Sequence, residues 1–255
     1  MRYFIEISYL GTHFSGFQIQ PNARTVQGEL EKALSLILRD AIAIQGSSRT
    51  DAGVHAKQQF AHFDFEPIEQ PNDLVYKLNR FLPSDLAAHA FHALPDTAHA
   101  RFDATHRKYE YHISTIKSPF LIGKTWFNSR PVDLNKMNDA AKLLIGYHDF
   151  EAFSKVKTEV NNFFCTVSEA HFLRNETGFV FHVKANRFLR GMVRALVGTL
   201  MEVGYGRLQV SDFQDIINSK NRRRAGSAAP APRASIQAST STRHPSRIMG
   251  LSEFG

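Results

Sequence analysis

Residues 46–55 carry the side chains best suited to chemistry in this 255-residue chain. The stretch holds a guanidinium at Arg49, a carboxylate at Asp51 and an imidazole at His55. Its glycines and its Ser, Thr and Asp residues favour a loop over a helix, and a loop on a β scaffold is a common place for working residues. The same pattern fits an ordinary tight turn, in which Asp51 bonds to its own backbone and Gly53 adopts a positive φ. Local chemistry alone leaves both interpretations open.

A second candidate lies in a predicted helix after Asn186. Its core stripe is ordinary, but another face carries arginines and glycines three or four residues apart: Arg187, Gly191, Arg194 and Gly198. A glycine inside a helix costs about 1 kcal/mol relative to alanine, so the pattern indicates close approach of another backbone or a ligand. The arginines can bind phosphate or pair with a carboxylate. A solvated basic face with small residues for helix packing is the alternative.

Two tyrosines, Tyr109 and Tyr111, lie on one side of a predicted strand beside Arg107 and Lys108. Strand tyrosines usually pack half-buried against their neighbours. An aromatic ring beside basic residues can also stack on a flipped base.

Several classes of chemistry leave no signature in the chain. The twelve histidines are scattered without metal-ligand spacing, and the single cysteine, Cys165, cannot form an internal disulfide. No phosphate-binding lysine loop or dinucleotide-binding glycine motif is present. The sequence therefore predicts no metal and no cofactor, and leaves carboxylates, arginines and aromatic rings to do any chemistry.

The composition is that of a basic globular protein. The net charge of +7 and the pI near 9.6 favour a polyanionic partner, although an ordinary basic protein fits as well. No apolar run approaches the length of a membrane span, and the N-terminal residues alternate unlike a signal peptide. We therefore expect no membrane association, and the single cysteine fits a reducing, cytoplasmic location.

Hydrophobic periodicity predicts β-α-β-β-α-β in the first half, the ferredoxin-like pattern, and β-α-β-β-α in the second. We predict an α+β fold of two ferredoxin-like halves that share a central antiparallel sheet, with a cleft between them as the default site. The predicted strands are residues 3–9, 41–45, 58–65, 86–94, 107–113, 167–173 and 179–185, and the predicted helices are residues 26–38, 71–81, 134–144, 188–203 and 211–218.

The last strand of the second half is missing from this pattern. From Ala225 to about Arg247 the chain is rich in Ala, Pro, Ser, Thr and Arg and lacks apolar alternation. Such a stretch has too little apolar surface to bury, so it predicts disorder. The predicted organisation is an N-terminal half at residues 1–104, a C-terminal half at 105–224 and a disordered tail at 225–255.

Ordered blocks of the chain resemble one family. Residues 46–55, with the sequence Gly-Ser-Ser-Arg-Thr-Asp-Ala-Gly-Val-His, closely resemble the active-site motif of the tRNA pseudouridine synthase A family. Further blocks resemble that family in the right order, at residues 9–18, 99–111, 148–153 and 184–194. The resemblance covers about residues 1–230 and favours a functional role for Asp51.

The resemblance implies that uridine is isomerised to pseudouridine in the anticodon stem-loop of tRNA, at tRNA positions 38, 39 and 40, without a cofactor. The family's catalytic aspartate corresponds to Asp51, which either attacks C1′ or removes a sugar proton. Tyr109 corresponds to the tyrosine that stacks on the flipped uracil, and Arg194 to the partner of the aspartate. Arg49 is the expected helper, holding the RNA backbone or filling the place of the flipped base. A homodimer that contacts the anticodon arm is also implied.

Three departures from the family pattern are present. Leu10 stands where the family usually has Asp, Phe17 stands where it usually has Trp, and the resemblance fails abruptly after Ala231. A shifted reading frame or a diverged tail explains the last departure. The alternative function is therefore a non-catalytic tRNA-binding protein, disabled by its altered C-terminus; a metal-dependent hydrolase is a third hypothesis.

Overall fold

The computed structural model describes residues 1–155, 162–230 and 236–242. The chain divides into two compact units, Met1–Thr105 with Ala238–Gly255, and His106–Gln237. In the described part of the chain, strands and helices alternate in both units, as expected for an α+β fold.

The first unit is built around its N-terminal strand. Its elements are β1 (Arg2–Tyr9), α1 (Val26–Leu38), β2 (Gln45–Gly46), β3 (His55–Asp64), α2 (Pro71–Phe81) and β4 (Leu86–Leu94). β1 pairs antiparallel with β3 on one side and with β4 on the other, and β2 pairs antiparallel with β3. Phe4 and Ile5 point to opposite faces of β1, and both are fully buried. This sheet therefore has a covered core on each face.

The helices of the first unit begin and end where local chemistry requires. Thr25 caps α1, because its hydroxyl oxygen accepts a hydrogen bond from the Gly28 N–H at 3.2 Å. Pro71 occupies the first turn of α2, where its missing N–H costs nothing. The Asn79 side chain then both donates to the Ala88 carbonyl and accepts from the Ala88 N–H, each at 2.8 Å, which joins α2 to β4.

The second unit is also built on antiparallel strands. Its elements are β5 (Ala104–Ser114), β6 (Trp126–Phe127), α3 (Leu134–Lys142), β7 (Gly146–Asp149), β8 (Phe164–Asn175), β9 (Gly178–Ala185), α4 (Met192–Gly204) and α5 (Val210–Ser219). The strand order is β5-β9-β8-β7, all antiparallel, with β6 added parallel to β5. α4 is buried over most of its length and packs against α3 and α5. None of the helices in the described ranges is long and apolar enough to cross a bilayer.

The prediction that the tail lacks a strand and is disordered is wrong where the structure describes it. Residues Ile236–Thr242 form a strand, β10, and the strand order of the first unit is β4-β1-β3-β10. Strand pairing is made by backbone groups and does not require alternating apolar side chains, and Ile and Thr both favour strands. The preceding residues are also ordered, since Ala229 is only 2 % exposed. Residues 231–235 and 243–255 of the predicted tail lie outside the described residues.

Most predicted elements differ from the structure by a few residues at their ends, and two of these differences bear on the site. The strand expected at residues 41–45 is reduced to Gln45–Gly46. The helix expected from residue 188 begins at Met192, and Gly191 precedes it with φ 73°. Arg187 and Gly191 therefore do not share a helical face with Arg194, because a residue with positive φ ends the regular helix.

Candidate active site

The loop at residues 46–55 is anchored where it leaves β2. Ser47 is fully buried, and its N–H donates to the Phe60 carbonyl at 2.7 Å. The Phe60 N–H donates in return to the Ser47 hydroxyl oxygen at 3.4 Å. The beginning of the loop is therefore fixed to β3 by both backbone and side chain.

A buried network of polar side chains holds the loop on both sides of Arg49. The Tyr9 hydroxyl lies 2.7 Å from the Thr50 hydroxyl and donates to Gln59 Oε1 at 2.9 Å. The Gln59 Nε2 group donates to the Ser48 carbonyl at 3.0 Å. Tyr9, Thr50 and Gln59 are 4 %, 6 % and 0 % exposed. In such a dry environment a lost hydrogen bond leaves its partner unsatisfied, so the network strongly favours one loop conformation.

The glycine-bracketed loop at residues 10–18 clamps the same stretch from the other side. The Phe17 N–H donates to the Thr50 carbonyl at 3.1 Å, and the Gly53 N–H donates to the Phe14 carbonyl at 3.3 Å. A Cβ atom on Gly11 would overlap the Val54 carbonyl. Only glycine allows the two backbones to pass this closely.

Two departures from the family pattern, Leu10 and Phe17, lie in the loop at residues 10–18. Gly46 leaves room for the larger of the two side chains, Phe17. The Phe17 side chain is 2 % exposed, and a Cβ atom on Gly46 would collide with its ring. The phenylalanine therefore packs directly on the start of the loop at residues 46–55. Leu10 is half exposed and its N–H donates to the Asp85 carbonyl at 2.9 Å.

Arg49 and Asp51 are exposed at the tip of this held loop. The Asp51 carbonyl accepts from the Val54 N–H at 3.2 Å, and Gly53 has φ 77°. The loop is thus a tight turn in its backbone, and that turn presents the Asp51 residue to solvent. The positive φ expected of Gly53 is confirmed, and the functional role of Asp51 stays a prediction.

His55 takes a positioning role at the end of the loop. It is 5 % exposed, and its Nδ1 accepts from the Gly11 N–H at 3.0 Å. An Nδ1 that accepts a hydrogen bond places the proton of a neutral imidazole on Nε2. His55 therefore fixes the glycine loop against β3.

The two strand tyrosines of the second unit have different environments. Tyr109 pairs with Val183 across the sheet and is half-buried, and its ring meets that of Phe188 edge-on with centroids 4.9 Å apart. Tyr111 is fully buried, its hydroxyl donates to the Pro230 carbonyl at 3.1 Å, and burial raises the pKa of its phenol. Tyr111 is a core residue, and Tyr109 alone retains an accessible ring surface.

Arg194 lies in the first turn of α4 and is held by the segment that follows α5. Its Nε donates to the Ala229 carbonyl, and its own carbonyl accepts from the Ala229 N–H, both at 2.8 Å. A Cβ atom on Gly198 would overlap the Ser227 carbonyl. The close approach of a second backbone, expected from glycine in this helix, is confirmed at Gly198.

The predicted site residues thus fall on three elements. Arg49 and Asp51 share one loop of the first unit, whereas Tyr109 and Arg194 lie on β5 and α4 of the second. Sequence reasoning missed the side chains that hold the loop, Tyr9, Thr50 and Gln59. Tyr9 ends a strand and looks like any core tyrosine, so only the pairing of β1 with β3 identifies its partners. Within the described residues, no group of three or more His, Cys, Asp or Glu is arranged to hold a metal ion.

Comparison with known proteins agrees with this division. The sequence profile described as tRNA pseudouridine synthase matches residues 6–103 and 140–237, one segment in each unit. The tRNA pseudouridine synthase A of Bacteroides fragilis is 47% identical over 232 residues, which is 90% of this chain and 92% of that protein. The protein of the same name from Porphyromonas gingivalis is 46% identical, over 90% of this chain and 93% of its own length. That from Staphylococcus aureus strain MRSA252 is 42% identical, over 91% of this chain and 88% of its own. The chain belongs to the tRNA pseudouridine synthase family.

Proposed function

We propose that this chain isomerises uridine to pseudouridine in the anticodon stem-loop of tRNA, with Asp51 as the essential carboxylate. Family membership supports tRNA as the substrate. The observation that supports Asp51 is the contrast within its loop: the backbone is held by a buried network and a glycine clamp, and the tip is exposed. A rigid loop that presents a carboxylate is the arrangement that catalysis requires.

The reaction needs no net redox change. The bond from N1 to C1′ breaks, the uracil turns, and C5 bonds to C1′; C5 then loses its proton and N1 gains one. Asp51 can start this sequence by attacking C1′ or by removing a sugar proton, and both routes leave the electron pair on the departing base. Because the C5 hydrogen is released to water in either case, its release measures turnover.

The remaining assignments follow the family pattern. We assign Tyr109 to stacking on the flipped uracil and Arg49 to the RNA backbone or the vacated base position. We assign Arg194 to stabilising the Asp51 carboxylate. The contact with Ala229 supports this assignment, because it uses one of the five N–H groups of the guanidinium and fixes its orientation.

The architecture and assembly belong to the same proposal. The first unit supports a ferredoxin-like half, since its β-α-β-β-α-β order is folded with β1 between β3 and β4 and with β2 beside β3. We propose the same pattern for the second unit. We also propose that the enzyme is a cytoplasmic homodimer and that its net charge of +7 makes binding of the anticodon arm weaken with salt.

Release of tritium from tRNA labelled at uracil C5 tests the catalytic role. We expect Asp51→Ala to reduce the rate by about a thousandfold or more while tRNA binding, measured by filter retention, stays within a fewfold of the original. Asp40→Ala is the matched control, because Asp40 is an exposed loop aspartate of the same unit whose carboxylate accepts from the Ala41 N–H. Full release by Asp51→Ala would exclude the proposal.

The second candidate, a non-catalytic tRNA-binding protein, rests on the altered C-terminus after Ala231. The contacts of Ala229 with Arg194 lie before that departure, so they favour neither candidate. The two candidates differ in one measurement, since the binding protein retains labelled tRNA without releasing tritium.

A further inference from the structure

The loop between β4 and β5 presents an aromatic ring that the proposed chemistry does not use. Phe102 is 70 % exposed. Exposing this much of an aromatic ring forgoes the stabilisation that burial would give, and a partner that covers the ring recovers it. Phe102 is therefore a candidate contact residue.

Reciprocal hydrogen bonds close the loop and restrict its backbone. The His99 N–H donates to Asp103 Oδ2 at 2.7 Å, and the Asp103 N–H donates to the His99 carbonyl at 2.9 Å. Below the loop, Ala98 and Ala100 are buried against Phe4. The backbone at Phe102 is consequently fixed before any partner binds.

The imidazole of His99 supports the Phe102 ring from beneath. The two rings lie with centroids 4.2 Å apart and planes inclined by 40°. His99 in turn meets the buried ring of His62 edge-on at 4.6 Å. Phe102 is therefore supported by a chain of ring contacts that reaches into the core of the first unit, and this support limits the rotamers of Phe102.

The hydrogen bonds of His99 also define its tautomer. Nδ1 accepts from the N–H groups of Arg101 and Phe102 at 3.2 Å and 3.4 Å, so the proton of the neutral ring is on Nε2. Nε2 then donates to Gln45 Oε1 at 3.1 Å. Burial lowers the pKa of His99, which favours this neutral form.

Gln45 connects these ring contacts to the proposed catalytic loop. It is the first residue of β2 and directly precedes Gly46. A chain of contacts thus runs from the exposed ring of Phe102 through His99 to the residue before the loop that carries Asp51. A partner that covers Phe102 is therefore positioned relative to the loop of Asp51.

We propose that Phe102 is a stacking platform for an unpaired nucleobase of the tRNA substrate, and that Arg101 contacts the adjoining backbone phosphate. The inference rests on the proposed function for the identity of the RNA. A nucleobase fits better than a protein surface, because the neighbours of the ring within its loop are the polar and charged residues His99, Arg101 and Asp103. The Arg101 guanidinium lies over the ring, 5.8 Å from its centroid. A base that stacks on the ring would replace this cation–π contact, and the guanidinium would then turn to the adjoining phosphate.

Two substitutions at Phe102 separate stacking from general apolar contact. Phe102→Leu removes the π face, and Phe102→Trp enlarges it. We expect the leucine variant to raise both the KM for tritium release and the Kd for tRNA by about five- to fiftyfold, because loss of one base–aromatic stack has that effect. The tryptophan variant should stay within about twofold of the original. Neither should shift the melting temperature, since the ring is mostly exposed.

Phe81→Leu is the matched control, since Phe81 is another exposed phenylalanine of the same unit, at the end of α2 and 57 % exposed. An unchanged KM and Kd for Phe102→Leu would overturn the platform, and the loss of release in Asp51→Ala would still support the proposed function. Equal weakening by both leucine variants, or a lowered melting temperature without rescue by tryptophan, would also overturn it. If the original chain releases no tritium but Phe102→Leu weakens tRNA binding, the platform stands and the proposed catalysis fails.

Discussion

Each unit uses a glycine to let a second backbone pass where a side chain would collide. In the first unit, the Val54 carbonyl occupies the position that a Cβ atom on Gly11 would take. In the second unit, the Ser227 carbonyl occupies the position of a Cβ atom on Gly198. Both contacts fix a segment next to a proposed site residue. Val54 belongs to the loop of Asp51, and Ser227 lies two residues before Ala229, the residue that holds Arg194.

The two regions differ in what else holds the segment. Around Asp51, the glycine clamp is supplemented by the buried hydroxyls and amide of Tyr9, Thr50 and Gln59. Around Arg194, the support comes mainly from backbone groups of the tail. The position of Asp51 is therefore set within the first unit, whereas that of Arg194 depends on a segment more than thirty residues later in the chain.

Of the substitutions that test this comparison, alanine at Gly11 in the first unit has the largest expected effect. In Gly11→Ala the new methyl group would overlap the Val54 carbonyl, so the glycine loop and the loop of Asp51 must separate. We expect the free energy of unfolding to fall by about 3 kcal/mol and tritium release to fall at least a hundredfold. Chemical denaturation and tritium release measure the two effects.

Gly206→Ala is the control for this substitution. Gly206 has φ 72°, and no heavy atom lies within 4 Å of the position that a Cβ atom would occupy. Only backbone strain of about 1 kcal/mol is therefore expected, with release unchanged. Equal effects of the two alanines on release would show that the clamp does not position Asp51.

A smaller effect is expected from the corresponding glycine of the second unit. Alanine at Gly198 would gain about 1 kcal/mol in helix propensity but would displace the Ser227 backbone. We expect a net loss of about 2 kcal/mol in the free energy of unfolding and a roughly tenfold fall in tritium release, because Ala229 no longer orients Arg194. Denaturation and steady-state release of tritium measure both.

Gly28→Ala provides the matched helical control. The nearest atoms to a Cβ on Gly28 are side-chain atoms of Thr25 and Ile19 at 3.1 Å and 3.8 Å, so no backbone has to move. Its free energy of unfolding should change by less than about 1 kcal/mol, with release unaffected. If Gly198→Ala behaved like this control, the tail would have no role in holding Arg194.

The same comparison explains what the sequence could reveal. The strand and helix pattern of the first unit follows from periodicity, and the close approach at Gly198 follows from the cost of a helical glycine. The loop of Asp51 was identifiable because glycine, serine and aspartate mark turns wherever they occur. These signals are local, so they remain visible in a single sequence.

What the sequence could not reveal depends on contacts between distant residues. The segment at residues 225–230 looks disordered because its own composition buries little, yet Gly226, Ala229 and Pro230 make backbone hydrogen bonds to Thr199, Arg194 and Tyr111. A neighbour with suitable polar groups can order such a segment without any apolar pattern in it. The sequence likewise does not reveal that His99 supports Phe102. The hydrogen bond that orients His99 is made to Gln45, which is more than fifty residues away.

The smallest expected effect tests whether the buried network, beyond the glycine clamp, sets the position of Asp51. Tyr9→Phe removes the hydroxyl that donates to Gln59 and contacts Thr50, and leaves their polar atoms buried. We expect the free energy of unfolding to fall by about 1 to 2 kcal/mol. The kcat for tritium release should fall about threefold to tenfold, with an unchanged KM, because the loop tip shifts without losing contacts to RNA.

Tyr3→Phe separates stability from catalysis in this last case. Tyr3 is a buried tyrosine of the same strand, and its hydroxyl accepts from the Ile68 N–H at 2.7 Å, away from the loop of Asp51. Its loss should lower the free energy of unfolding by about 1 kcal/mol and leave kcat unchanged. If both phenylalanine variants lost stability but kept the full kcat, the network would serve folding alone. The position of Asp51 would then rest on the backbone clamp at Gly11, which would make the two units more alike than their side chains indicate.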